Sequence, residues 1–236
     1  MFGSRWVGIS LVVLGTIVAG SAGTAQAQSA HRTRRESNVN RQARIARTIE
    51  DTYSHRWEVG AGGGYLRFRS GQYLQRNNEV TFFLSGTYNL SPKLGVVGDV
   101  RGGFGSAKIG NTIYNIPNPL IQEFTFMAGP SYRFRAQEKY SVSGFATAGL
   151  VLGRFDNGAK GLSSSDIGLW NSTYRPAFSV GANLDYNLFP NLALRVQPNY
   201  LGTVFQQTVP GGSVGSIQNN LGVNAGVVYR FGRIGK

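Results

Sequence analysis

The chain has 236 residues, 33 of them glycine and none cysteine, and carries a formal net charge of +13 from 24 basic and 11 acidic residues. That length holds one sizeable all-β domain or two small ones, and the missing thiols exclude disulfide scaffolds, thiolate nucleophiles and cysteine-ligated metals. Charged residues reach 15% against about 25% in an ordinary soluble domain, and only Lys93, Lys108, Lys139, Lys160 and Lys236 are lysine, which leaves too little Lys and Glu for a normal wet exterior.

The N-terminus reads as an export signal. Arg5 gives a positive start, residues 7–18 an apolar core, and Thr24-Ala25-Gln26-Ala27 a small-residue cleavage site, with the cut expected after Ala27. The apolar run is well short of the about 20 residues that a spanning helix needs. Residues 28–55 carry Arg32, Arg34, Arg35, Arg41, Arg44 and Arg47 and too few large apolar side chains for a core. A short helix with Ile45 and Ile49 four apart would have only a thin apolar stripe. The segment reads as a flexible basic linker. The sharper reading is adhesion to anionic lipid or cell-wall polymer, at about 1 kcal/mol per Arg near a charged surface.

Over residues 56–236 the dominant period is two, and eight alternating runs follow one another. In the first, Trp57, Val59, Ala61, Gly63 and Tyr65 share a face; later runs hold Val80, Phe82, Leu84 and Tyr88, then Leu94, Val96 and Val100, then Phe124, Phe126, Tyr132 and Phe134. Tyr140 to Leu152, Tyr174 to Leu188 and Leu192 to Tyr200 continue the pattern, and Leu221, Val223, Ala225, Val227, Tyr229 and Phe231 end it. Each run is long enough to cross a bilayer as a tilted strand of about 9–11 residues. Pro130 and Pro198 lack the N–H a ladder uses, and mark expected bulges.

The connections alternate in length. Tight turns fall at Leu90-Ser91-Pro92-Lys93, Arg135-Ala136-Gln137-Glu138 and Leu188-Phe189-Pro190-Asn191; longer Gly-, Ser- and Asn-rich loops fall near residues 69–78, 106–120, 154–173 and 204–218. Short and long connections thus occupy opposite ends of one strand set. Alternation alone does not say which face looks inward. In a soluble lipocalin-like barrel the polar face would meet water and be thick with Lys and Glu. Here it reads Thr, Ser, Asn, Gln and Gly with scattered Arg and Asp, which suits a hydrogen-bonded lumen. Aromatic residues also collect near strand ends, at Trp57, Tyr88, Phe134, Tyr140, Tyr186 and Tyr229, where membrane-interface girdles belong.

On these turns, runs and the closing Tyr229-Arg230-Phe231, the chain from about Trp57 to Phe231 resembles the small eight-stranded outer-membrane barrels, the group of the OmpA transmembrane domain and OmpX. The resemblance implies an all-β, eight-stranded, antiparallel up-and-down transmembrane barrel in the cell outer membrane. It also implies that Tyr229 and Phe231 supply an aromatic-ended signal to the barrel-assembly machinery. Two departures are the missing C-terminal peptidoglycan-binding domain and the extra basic segment ahead of the first strand.

By parity the lumen holds Glu58, Glu79, Asp99, Glu123 and Asp185 against Arg101, Arg133, Arg135, Arg175, Arg195 and Arg230. Unpaired buried charges cost several kcal/mol each, so near-balance predicts an ion-pair network across a plugged barrel. The turn at Pro190 sets Asp185 opposite Arg195, and closure of the last strand on the first sets Arg230 near Glu58.

Catalysis finds little support. His31 and His55 both precede the first strand, so no Ser-His-acid constellation forms at the extracellular rim where a lipid-modifying barrel would need one. Gly60-Ala61-Gly62-Gly63-Gly64-Tyr65 has Tyr where a phosphate loop needs its third glycine, and reads as close strand packing. Asp156 and Asp166 lack Ca-loop spacing, so no metal or cofactor is expected. The basic excess has no aromatic platform or recognition helix beside it, and nucleic acid is not an expected partner.

The expected role is a structural or surface-interaction protein of the outer membrane, with outer-membrane lipids as neighbours. Leu169 and Trp170 in the longest loop either dock a partner or cap the barrel mouth. The alternative is a narrow channel for small or hydrophobic solutes resembling the OmpW group, hinted at by inward Phe83, Phe145 and Val151. A soluble secreted carrier comes third.

Overall fold

The structure is a computed structural model that describes residues 38–109, 118–157 and 159–234. The expected export signal, residues 1–27, and the basic residues Arg32, Arg34 and Arg35 lie outside the described residues. Among the described residues one helix, α1 (Asn38–Tyr53), precedes ten strands: β1 (Trp57–Arg69), β2 (Arg76–Asn89), β3 (Leu94–Ser106), β4 (Leu120–Ala136), β5 (Tyr140–Asn157), β6 (Thr173–Phe189), β7 (Leu192–Thr203), β8 (Gln206–Val209), β9 (Gly212–Gly215) and β10 (Gln218–Phe231). Strands β1 to β7 and β10 close into one eight-stranded antiparallel barrel, and β8 with β9 forms a separate hairpin in the last long loop.

Closure is made by β10 against β1, in the register Trp57↔Phe231, Glu58↔Arg230 and Gly62↔Gly226. At that seam the glycines are required by contact. A Cβ on Gly62 would lie 2.2 Å from the Ala225 carbonyl oxygen, and one on Gly226 would lie 2.2 Å from that of Ala61. The glycine run therefore serves close strand packing.

Side-chain alternation is strict through the middle of the wall. Val80 is 73% exposed and its neighbour Thr81 only 8%, which fixes the apolar face outward and the polar face inward. Phe82, Leu84, Leu94, Val96, Phe126, Leu150, Val180, Leu194, Val196 and Val223 share the outer face. Eight strands leave an interior that side chains fill. Polar residues fill it from the short-turn end to the middle; an apolar cluster including Leu66, Phe68, Ile121, Phe155, Leu169, Trp170 and Phe205 fills the long-loop end.

The short turns are local devices. At β2–β3, Leu90 and Ser91 N–H both donate to the Leu94 carbonyl, at 2.9 and 3.0 Å, and Ser91 Oγ accepts from Leu94 N–H at 3.0 Å.

Three expectations are corrected. Pro130 and Pro198 produce no register shift: Pro130 pairs with Val96 and Pro198 with Val223. Each lacks its N–H on one side only, so the ladder is interrupted there without an extra residue. The bulges fall instead between Leu120 and Gln122, between Arg133 and Arg135, and between Asn187 and Phe189. The second of these inverts the parity that placed Arg135 in the lumen. Arg135 is exposed, its guanidinium 6.0 Å from the Tyr140 ring. Finally, the segment read as a flexible linker is helical over Asn38–Tyr53 and ends inside the barrel mouth, where Thr52 and Tyr53 are buried.

Candidate functional site

The lumen is built in four layers. At the short-turn end, inward positions of five strands converge on two carboxylates: Glu58 from β1 and Asp185 from β6, with Arg133 (β4), Arg195 (β7) and Arg230 (β10) around them. Arg195 donates from Nε to Asp185 Oδ1 at 2.6 Å and from Nη2 to Oδ2 at 2.9 Å. The same Nη2 reaches Glu58 Oε2 at 3.1 Å. Arg230 Nη2 donates to Asp185 Oδ2 and Nη1 to Asn187 Oδ1, both at 2.9 Å, and its Nε lies 3.5 Å from Glu58 Oε1. Arg133 Nη2 donates to Glu58 Oε1, and Nη1 donates to the Pro92 carbonyl at 2.5 Å. The register supplies the opposition directly: Glu58 faces Arg230 and Asp185 faces Arg195.

Two carboxylates facing three guanidiniums leave one positive charge over, and an aromatic ring sits against it. The Tyr53 ring, at the end of α1, lies 4.8 Å from the Arg133 guanidinium carbon and 5.6 Å from that of Arg230, within cation–π range. Its hydroxyl donates to the Gln137 carbonyl at 2.8 Å and accepts from Asn187 Nδ2 at 2.8 Å. Asn89 Nδ2 donates to the His55 carbonyl at 3.1 Å, tying the helix exit to β2. Tyr53 thereby stoppers the short-turn end.

The next layer is an Asp99–Arg101 pair on β3, joined from Nε at 2.5 Å and Nη2 at 3.2 Å. Beside it runs an amide ladder. Gln197 Nε2 donates to Asn183 Oδ1 at 2.8 Å, Asn224 Nδ2 donates to Gln197 Oε1 at 3.3 Å, and Thr81 Oγ1 donates to Asn224 Oδ1 at 3.0 Å.

Above this lie Glu79 and Glu123, both buried. Asn77 Nδ2 donates to Glu79 Oε1 at 3.1 Å. Glu79 Oε2, both Glu123 oxygens and Arg101 Nη1 have no protein partner among the described residues. A cavity of about 20 Å³ lies between Glu123, Thr125, Arg101 and Asn224, room for about one water.

The long-loop end is closed by apolar side chains. Phe155 packs edge-on against Phe205 at 5.0 Å and stacks on Phe68 at 6.2 Å. Leu169 and Trp170 are fully buried in this cluster, and Trp170 Nε1 donates to the Arg69 carbonyl at 2.7 Å. Of the two readings of these loop residues, the packing favours the cap.

Of the residues singled out in the sequence, Glu58, Arg133, Asp185, Arg195 and Arg230 come together; Asp99 and Arg101 pair separately; Arg135 lies outside. Arg175 is half-buried near the loops, donating to Gln206 Oε1 at 2.7 Å. Tyr229 and Phe231 stack at 6.0 Å on the outer face of β10. Tyr53, Asn89 and Asn187 were not foreseen. For the two asparagines, an inward position just before a tight turn was the available signal. His55 lies at the short-turn end, its Nδ1 3.1 Å from the Thr52 carbonyl, opposite the long loops.

No family model matches the sequence, and no curated protein matches it. Solved structures do. Neisserial surface protein A is 15% identical, with 74% of this chain and 97% of that chain covered, at a TM-score of 0.53. The fold is that of a small outer-membrane barrel. OprG from Pseudomonas aeruginosa is 12% identical over 76% of this chain and 98% of its own, at a TM-score of 0.49. Ail of Yersinia pestis, solved in complex with the heparin analogue sucrose octasulfate, is 20% identical over 75% and 99%, at 0.43.

Proposed function

We propose that the chain is exported, cut after Ala27 and inserted into the bacterial outer membrane as a structural or surface-interaction barrel whose lumen does not conduct. The observation that carries this reading is closure at both ends. Tyr53 and the Glu58–Asp185–arginine network fill one mouth, and the Trp170 cluster fills the other. The outward apolar wall supports a lipid surrounding, and the aromatic-ended β10, with Tyr229 and Phe231, suits recognition by the barrel-assembly machinery. Exposed Arg41, Arg44 and Arg47 on α1 suit anionic lipid or cell-wall polymer on the short-turn side.

A second reading is supported by the apolar upper interior. Leu66, Phe68, Ile121, Val151 and Phe155 could line a conduit for hydrophobic solutes, as expected for an OmpW-like channel, if the loop holding Leu169 and Trp170 lifted. The closed barrel is favoured because the cavity beneath that cluster holds only about 20 Å³.

Purified full-length protein in planar bilayers tests the choice. The closed barrel gives no steady conductance and adds nothing to the uptake of a hydrophobic dye by liposomes. Steady nanosiemens-scale openings, or dye uptake that depends on the protein, would reverse the preference.

A further inference from the structure

We propose that the groove between the loop ends of β1 and β2 is a binding site for the phosphate-bearing headgroup of a lipid in the outer leaflet. The site rests on the outer-membrane reading above and adds to it a ligand class and named residues.

On the outer face of β1 the sequence runs Trp57, Val59, Ala61, Gly63, Tyr65, then Arg67 and Arg69. On β2, read from the other end, it runs Tyr88, Gly86, Leu84, Phe82, Val80, then Asn78 and Arg76. From Trp57 to Tyr65 a strand rising about 3.3 Å per residue, and tilted about 40°, climbs about 20 Å, close to the height of an apolar membrane band. Tyr65 and Val80 pair at its upper edge. Arg67 and Asn78 occupy the first outward positions beyond it and Arg69 and Arg76 the second, at the depth where phosphates lie.

Their arrangement is costly without an anion. Arg67 pairs with Asn78, and Arg69 stands directly opposite Arg76, a like-charge pair that destabilises a ladder. With Lys108 these residues line a groove of about 590 Å³, which among the described residues no carboxylate lines. Among the described residues, none of these four cations makes an ion pair. A phosphate between Arg69 and Arg76 would turn the repulsion into two charge-assisted contacts, and the guanidinium fork matches its oxygens.

The groove is also held ready. Tyr65 Oη donates to Asn78 Oδ1 at 2.5 Å, which leaves the Asn78 amide N–H groups free to donate. The Arg69 carbonyl is pinned by Trp170 Nε1 at 2.7 Å, so the strand end that presents Arg67 and Arg69 is fixed before a ligand arrives, which lowers the cost of binding. A lipid fits better than a soluble polyanion because the groove lies on the side wall, continuous with the apolar band, instead of on the loop crown.

The test uses full-length protein reconstituted into phosphatidylcholine nanodiscs containing a minor fraction of bisphosphorylated lipid A, or the same lipid dephosphorylated. Lipid retained on the barrel is read by native mass spectrometry. Wild type is expected to keep the phosphorylated lipid, and the triple variant R67Q/R69Q/R76Q to keep at least about tenfold less, a 1.4 kcal/mol difference. R154Q, an exposed arginine elsewhere on the loop half, keeps the wild-type amount. Heat-dependent gel mobility checks that every variant is folded. Equal retention by the triple variant, or equal retention of the dephosphorylated lipid, overturns the site. So does a triple variant that loses heparin binding in detergent while keeping lipid A, which assigns the groove to a soluble polyanion. Failure of wild type to insert into nanodiscs at all overturns the membrane reading itself, and is distinguished by the absence of any barrel in the disc fraction.

Discussion

Glu58 and Arg230 face each other across the seam where the last strand meets the first, with Arg230 Nε 3.5 Å from Glu58 Oε1. One carboxylate at that seam also takes Arg133 from β4 and Arg195 from β7, so strands far apart in sequence share a single buried charge. The pairing therefore ties barrel closure to lumen filling.

Glu58→Gln keeps the size of the side chain and removes its charge, leaving three buried guanidiniums with Asp185 alone. Breaking one partner of a buried pair costs about 3–5 kcal/mol. The urea midpoint of the folded, detergent-solubilised barrel should fall accordingly. An unchanged midpoint would mean that the network is not formed.

Arg133 and Arg135 separate the lumen from the outer wall across one bulge. Arg133→Gln should cost about 3–5 kcal/mol by the same reasoning. Arg135→Gln, on an exposed side chain, should stay within about 0.5 kcal/mol. Equal losses in the two variants would place Arg135 back in the lumen.

How far the sequence carried this site is visible in that pair. Glu58–Arg230 and Asp185–Arg195 were legible because parity fixes the face and a tight turn or a closing strand fixes the register. Arg135 was not, since a bulge adds one residue that composition does not mark. Tyr53 was hidden for a different reason: it follows a basic stretch whose apolar stripe is thin, and its burial depends on a mouth formed by residues more than 80 positions later. Trp170 left both a cap and a docking residue open, because loop burial is set by tertiary contacts such as its bond to the Arg69 carbonyl.

Tyr53→Phe removes the hydroxyl that joins Gln137 and Asn187, at a cost of about 1 kcal/mol. Tyr53→Ala also removes the ring against Arg133 and Arg230. Limited trypsin digestion reads both, because α1 carries exposed Arg41, Arg44 and Arg47. Cleavage there should be fastest in Tyr53→Ala, intermediate in Tyr53→Phe and slowest in wild type. Identical rates would show that the helix is not held by its last residue.

Glu123 offers the opposite sign. Both its oxygens lack a protein partner among the described residues, and an unsatisfied buried polar group costs about 1–3 kcal/mol or more. Glu123→Met, which removes both oxygens at similar size, should therefore raise the unfolding midpoint in detergent. A clear fall would reveal a partner for the carboxylate that the lumen geometry does not contain.

The most direct measurement is of which face meets lipid. The chain has no cysteine, so single spin labels can be placed at Leu84→Cys and Ser85→Cys on β2, and at Val196→Cys and Gln197→Cys on β7, in bilayer-reconstituted protein. Labels at 84 and 196 should be relaxed strongly by membrane-dissolved oxygen, and labels at 85 and 197 should be shielded from it. The reverse alternation, with 84 and 196 shielded and 85 and 197 open to a water-soluble relaxant, would contradict a barrel that wears its apolar face outward.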